Sequence, residues 1–247
     1  MACVGRGRCC AGGRRQGSIL YHILRSEEQP RGSGPGCSCG ARGRGRGRSR
    51  AAAGGERAAA AAVLVKTLRF VKGVPCFQQL PLAEQLVLVR AAWAPLLVLG
   101  LAQDGVALPA HEAAQPSMLQ RILTARPPPP PAADLQALHG VLAKCWSLDI
   151  GPKEYAYLKG AVLFNPDLPG LQCTQYIQGL QREAQQALNE HVRLIHRGDQ
   201  ARFAKLNIAL SLLRSINANV IAELFFRPII GTVNMDDMLL EMLCAKL

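Results

Sequence analysis

Catalysis needs a nucleophile, a base or a metal held within bonding reach, and the residues that could supply these are sparse and poorly spaced. The five histidines stand at positions 22, 111, 139, 191 and 196, and no two have ligand spacing. His191 and His196 are five apart on one expected helix, which turns them to different faces. Cys145 with His139 is the nearest approach to a thiol–imidazole pair. Cys145 lies in apolar helical sequence with nothing to activate it, so core packing accounts for it better. The chain has no phosphate-cradling G-x-x-x-x-G-K-[ST] loop, no G-x-S-x-G elbow and no H-E-x-x-H pair. Cys9-Cys10 and Cys37-x-Cys39 depart from paired C-x-x-C zinc spacing and lack folded flanks. These residues point to a non-enzymatic protein that needs no cofactor and no metal.

Recognition chemistry is better represented. Leu20-Tyr21-His22-Ile23-Leu24 places apolar residues at i, i+3 and i+4, the pattern of a short helix that lays one face into a hydrophobic groove. The same pattern arises by chance inside Leu-rich helices, as in Leu138–Leu142. Around Leu20 the sequence is Gly- and Arg-rich, with no core for these side chains to serve, and this context favours groove binding. The alternating run Arg42–Arg48 resembles segments that hold RNA through phosphate charge and guanidinium stacking, although no aromatic residue is interleaved with it. Phe203, Leu206, Leu210, Leu213, Asn217, Val220 and Leu224 are spaced 3, 4, 3, 4, 3, 4. Such a seam serves either a dimer contact, with Asn217 fixing register, or the protein's own core.

Charge is distributed unevenly. Residues 1–57 contain 12 Arg and 3 Glu, so +9 of the total +12 belongs to them. The tail is dominated by Gly, Arg, Ser and Ala, which cannot bury enough apolar surface to offset the entropy of ordering, and it is expected to be disordered. Charge of this kind serves solubility as readily as binding. The nine cysteines are odd in number, and four of them fall in apolar helical sequence, so a reducing intracellular compartment is expected. The N-terminus lacks the apolar region of a secretory signal. The longest apolar run, Leu86–Ala102, is broken by Arg90 and Pro95 and falls short of the roughly 20 residues of a membrane span. It reads as a buried core helix, and no membrane contact is expected.

The elements that position these residues are helices. Ala58–Lys72 carries Leu64, Leu68 and Val71 at i, i+4 and i+7 and stops at Gly73 and Pro75. A connector leads to a helix over Leu82–Leu101, with a kink expected at Pro95. Residues 105–114 read as a turn or small hairpin, Pro116–Thr124 as a short helix and Pro127–Pro131 as a stiff spacer. Helices are expected over Asp134–Leu148, Pro152–Phe164, Leu171–His196 and, capped by Asp199, onward to Phe226, where Pro228 ends the last of them. Asp236–Cys244 closes the chain. The domain over residues 58–247 is all-α, preceded by the basic tail over residues 1–57.

Phe70-Val71-Lys72-x-x-Pro75-x-Phe77-x-x-Leu80-x-x-x-Glu84-Gln85-x-x-Leu88 resembles the signature of nuclear-receptor ligand-binding domains. Val71 replaces the usual small residue, and Glu84 stands where Asp is commoner. Met238-Leu239-Leu240-Glu241-Met242-Leu243 looks like the C-terminal activation helix of that family. Pro75–Pro81, Lys153–Gly160, Phe164–Asp167 and Leu224–Gly231 resemble the atypical receptors that lack a DNA-binding domain. Gln16–Tyr21 resembles a unit that recurs in the tail of such receptors, and one copy is present here.

The resemblance implies a helical sandwich of the ligand-binding-domain type with no DNA-binding zinc module before it. It implies a nuclear, and also cytoplasmic, transcriptional corepressor that acts in steroidogenesis and sex determination. The implied partners are receptors of the steroidogenic-factor and liver-receptor-homologue type, steroid receptors and corepressors. A second copy or the small heterodimer partner is the implied dimer partner, and no known hormone is implied. Lys72 and Glu241 would form the charge clamp that grips the two ends of a bound helix, and Met238, Leu239, Met242 and Leu243 the apolar face of the activation-type helix. Pro75, Cys76, Phe77, Leu80 and Pro81, with Leu20, Tyr21, Ile23 and Leu24 in the tail, would meet the partner receptor. The alternative is a ligand-gated receptor that holds a lipid or steroid in its own pocket.

Overall fold

The computed structural model describes residues 48–106, 108, 131–231 and 234–245. Its helices, in chain order, are α1 (Arg48–Gly73), α2 (Pro75–Gln78), α3 (Leu82–Gln103), α4 (Ala132–Ser147), α5 (Pro152–Leu163), α6 (Thr174–Ile195), α7 (Arg202–Arg214), α8 (Ala218–Ile221), a π-helical turn (Ala222–Phe226), α9 (Arg227–Ile230) and α10 (Met235–Cys244). No strand occurs among the described residues. The expected turn over residues 105–114 lies largely outside them. The short helix 116–124, nearly all of the proline spacer, the Arg42–Arg48 run up to Gly47 and the Leu20–Leu24 segment fall outside as well.

α3 is apolar around its whole circumference and must therefore be covered on every side. α1, α4, α5, α7, α8 and α10 all pack on it. Its 22 residues are long and apolar enough to cross a membrane, but 67% of that apolar window is buried inside the protein, as befits a core helix. The helix runs unbroken through Pro95. α1 lays Leu64, Leu68 and Val71 against α3, all buried as their spacing predicts. It begins at Arg48, ten residues before the expected Ala58, because alanine's helix propensity on both sides of Gly54 and Gly55 outweighs the cost of those glycines. Where α1 crosses α3, Gly100 permits close approach: a Cβ there would stand 2.6 Å from Val63 Cγ1 and 3.3 Å from Thr67 Oγ1.

Long-range polar contacts fix the remaining helices. Glu84, buried in the first turn of α3, accepts hydrogen bonds from the backbone N–H groups of Gln172 (2.6 Å) and Cys173 (3.3 Å). The carboxylate thus caps the positive N-terminus of α6, which has no side-chain cap of its own. On α5, Lys159 is buried, donates to Gln103 Oε1 at 2.7 Å and lies 5.2 Å from the centroid of the Phe70 ring, tying α5 to α3 and α1. The Arg202 guanidinium on α7 grips the Glu154 carboxylate through Nε and an NH2 nitrogen, both at 2.6 Å. Its remaining donors reach the carbonyls of Leu148 and Asp149. Glu154 also accepts from its own N-cap, Gly151 N–H, at 2.8 Å.

The helix expected to run from Asp199 to Phe226 is broken, and this corrects the heptad seam. α7 ends at Arg214, and the chain then bends by 77° before α8. Asn217 is the N-cap of α8: its side-chain oxygen accepts the Asn219 N–H at 3.0 Å. A short amide side chain that satisfies a free backbone donor favours a new helix start over continuation. Leu206, Leu210, Leu213 and Val220 are buried in the domain's own core, while Phe203 and Leu224 are half-buried. The seven residues therefore do not line one exposed helical face. Pro228 does not end the last segment either. It lies in the first turn of α9, where its missing N–H costs nothing, and Gly231 at φ +63° ends the helix.

Two consequences are measurable. Gly100→Ala should lower unfolding free energy by about 1–3 kcal/mol in chemical denaturation, since the new methyl overpacks the α1–α3 crossing. Burial alone would raise the Glu154 pKa, but the Arg202 and Gly151 hydrogen bonds overcome this and hold it below the ordinary 4.5. Its stabilisation is therefore fully present above about pH 4.5 and is lost as pH falls through the lower folded-state value. Glu154→Gln should cost about 3–5 kcal/mol at neutral pH, because it leaves a guanidinium buried without its charge partner. The variant should also lose stability less steeply than the parent when acidified below that point.

Candidate helix-docking groove

Lys72 lies in the last turn of α1, beside the one-turn helix α2. Gly73 and the extended Val74 stop α1, and Pro75 starts α2, because its fixed φ suits a first helical turn. Two amides pin this connection. Gln78 donates to the Lys72 carbonyl, and Gln85 on α3 donates to the Leu80 carbonyl at 2.8 Å. The end of α1, α2 and the start of α3 are thereby held as one rigid rim.

α10 rests on α1 and α3. Leu239 and Leu243, at i and i+4, are buried, and Met235, Met238 and Met242 are half-buried against the core. Lys72 Nζ donates to the carbonyl of Met242 at 3.3 Å and to that of Ala245. It thus satisfies carbonyls that the helix leaves open at its C-terminal end and complements the negative end of its dipole. At the other end Asn234 caps the helix by accepting the Asp236 N–H at 3.1 Å, and Asp236 and Asp237 lie in the first turn. Arg90, on α3, pairs with Asp236 at 3.6 Å. Sequence reasoning missed Arg90 and Asp236 as a pair; the only signal was the acidic first turn of the terminal helix.

This geometry revises the role expected of Glu241. Lys72 does grip the carbonyl end of a helix, but that helix is the chain's own α10. Glu241 belongs to the same helix and is exposed on it. It does not face Lys72 across an open groove. The terminal apolar set divides likewise: Leu239 and Leu243 are buried, while Met238 and Met242 are half-buried.

The segment expected to meet a partner is also split. Pro75 and Cys76 are half-buried and Pro81 is exposed, but Phe77 and Leu80 are buried in the core. In this structure those two side chains anchor the rim. Leu82, which follows Pro81, is 54% exposed and continues the outward edge. Burial pushes the Cys76 thiol up to about 12 and the Cys145 thiol up to about 11, which leaves neither with thiolate character near neutral pH.

An open cleft of about 370 Å³ lies between α8–α9 and the start of α10, lined by Asn219, Glu223, Arg227 and Asn234 among others. Its wall is mixed, with Ala222, Ile230 and Met235 beside the polar residues, and Glu223 and Arg227, one helical turn apart, pair along it at 3.3 Å. Deeper in the domain, Trp93 and Phe226 meet edge to face with ring centroids 6.1 Å apart.

Comparison with known proteins gives this geometry a context. Residues 135–230 match the family model described as the ligand-binding domain of nuclear hormone receptor. The chain is similar to nuclear receptor subfamily 0 group B member 1 of Sus scrofa, at 63% identity over 76% of this chain and 46% of that protein. Its human counterpart is 52% identical over 97% of this chain and 58% of that protein. The chain thus spans about half the length of the curated relatives it matches. Among solved structures, the ultraspiracle ligand-binding domain from Drosophila melanogaster aligns with a TM-score of 0.61 at 26% identity, covering 93% of this chain and 97% of that one.

The rim cysteine provides a simple check. At mildly alkaline pH, iodoacetamide should label exposed Cys244 well before Cys76 or Cys145, as peptide mapping by mass spectrometry would show. Labelling of Cys76 as fast as Cys244 would mean that the rim is open in solution.

Proposed function

Because the chain belongs to the nuclear hormone receptors, a family that is not enzymatic, we propose that it regulates transcription through protein contacts alone, in the nucleus and also in the cytoplasm. The reading is that of a corepressor: it binds the ligand-binding domains of other nuclear receptors and blocks the groove through which they recruit activators. Receptors of the steroidogenic-factor and liver-receptor-homologue type are the proposed partners, together with steroid receptors and recruited corepressors. Dimerisation, with a second copy or with the small heterodimer partner, belongs to the same reading.

The observation that carries it is the rim. Pro75, Cys76, Pro81 and the exposed Leu82 lie on a turn that Phe77 and Leu80 root in the core and two glutamine amides hold in place. An apolar edge that is already ordered loses little conformational entropy when a partner covers it. Leu20, Tyr21, Ile23 and Leu24 supply the second contact, as a short helix seated in the partner's groove.

Affinity of the full chain for a steroidogenic-factor-type ligand-binding domain, measured by calorimetry, tests both contacts. Ile23→Ala with Leu24→Ala should weaken binding by more than about 1 kcal/mol for each anchor. Leu82→Asp should weaken it while leaving the thermal unfolding of the chain nearly unchanged, since that side chain is exposed. Unchanged affinity in both variants would remove the proposal.

A further inference from the structure

Leu194 and Ile195, the last two residues of α6, are 65% and 63% exposed, more than any other large apolar side chain among the described residues. A single aliphatic residue in water is ordinary, but two adjacent ones at a helix end form a small apolar knuckle. The buried face of α6 runs from Ile177 to Val192, and the pair lies beyond it.

The knuckle is held still. In the turn that follows, the Asp199 N–H donates to the His196 carbonyl at 3.0 Å and the Arg202 N–H to the Asp199 carbonyl at 3.1 Å. Lys205 pairs with the Asp199 carboxylate at 3.0 Å, and His196 Nε2 stands 3.5 Å from Glu154, which Arg202 grips. An apolar surface fixed in this way loses little conformational entropy when it is covered.

Its surroundings are cationic. Residues 193–197 contain Arg193 and Arg197 and no acid, and both arginines are exposed. His191, one turn before the pair, is held below its ordinary pKa by burial and, against the pull of Glu154, by the charge of Lys153. This places the exposed Lys153 of α5 beside the last turns of α6. None of Lys153, Arg193 and Arg197 has a salt bridge among the described residues. Of the nearby acids, Glu154 and Asp199 each hold a cation already. Glu190 accepts from the Gln186 amide at 3.0 Å, and Asp149 is exposed on the loop before α5. A cation in the last turn of α6 complements its dipole, which accounts for Arg193. Lys153 stands in the first turn of α5, where the dipole disfavours a cation and an incoming carboxylate would be welcome.

We propose that this knuckle docks an acidic segment of another protein: its bulky apolar anchors cover Leu194 and Ile195, and its carboxylates meet Arg193, Arg197 and Lys153. The surface includes neither the rim nor the tail motif, so it stands or falls apart from the corepressor reading.

The experiment uses the full chain and a fluorescein-labelled peptide of alternating acidic and Phe or Leu residues, followed by fluorescence anisotropy. The parent should bind the peptide, and less tightly as salt rises. Leu194→Gln with Ile195→Gln should weaken binding about tenfold or more, with thermal unfolding nearly unchanged because both side chains are exposed. Arg193→Gln with Arg197→Gln should weaken it about threefold or more and flatten the salt dependence. Residues 1–57 carry +9 and attract acidic peptides unaided, so binding that survives both variants would place the peptide there and overturn the proposal. Self-association of the parent in sedimentation, lost in the Leu194–Ile195 variant and without peptide binding, would assign the knuckle to a second copy and overturn it equally.

Discussion

A helix that is apolar on every side has no stable place except inside other helices, and α3 sets that constraint for the whole domain. Its interior residues, from Ala92 to Ala102 with Pro95 half-buried among them, leave no face for water. The surrounding helices are arranged to cover it, and the buried polar groups at their ends are paired because an unpaired one would cost more than the burial returns. Glu84 closes the start of α6, and Glu154 with Arg202 joins α5 to α7. α10 packs on α3 as well, near Arg90.

The groove follows from the same rules. α1 must end where Gly73 and Pro75 stand, and this leaves Lys72 at its lip. The amides of Gln78 and Gln85 then hold the turn to α3. A lysine at that lip, above an apolar floor, suits the C-terminal end of a helix, whose open carbonyls and negative dipole it complements.

Much of this was legible in the sequence, and what was missed has identifiable causes. The spacing of Leu64, Leu68 and Val71 placed α1 correctly, because a period near 3.6 directly marks a buried helical face. The start of α1 was set too late because Gly54 and Gly55 look like a boundary while alanines on both sides sustain the helix. The break at Ser215–Asn217 was hidden because Asn217 fits a heptad register as well as it fits an N-cap, and only the bend decides between them. Glu84 and Gln172 are 88 residues apart and Glu154 and Arg202 are 48 apart, so no local pattern announces either contact. Lys72 meets the C-terminal carbonyls of α10, and where Glu241 stands depends on how α10 lies, which is a tertiary fact. The buried positions of Phe77 and Leu80 have the same origin.

The central claim is that this protein acts by competing for helix-binding grooves. The most direct measurement is binding of the full chain to a ligand-binding domain of the steroidogenic-factor type, titrated with a coactivator-type leucine-bearing peptide. The account predicts that saturating peptide displaces the chain and that the apparent affinity falls in proportion to peptide concentration. Binding that is indifferent to the peptide would contradict it and would place the contact outside the partner's groove.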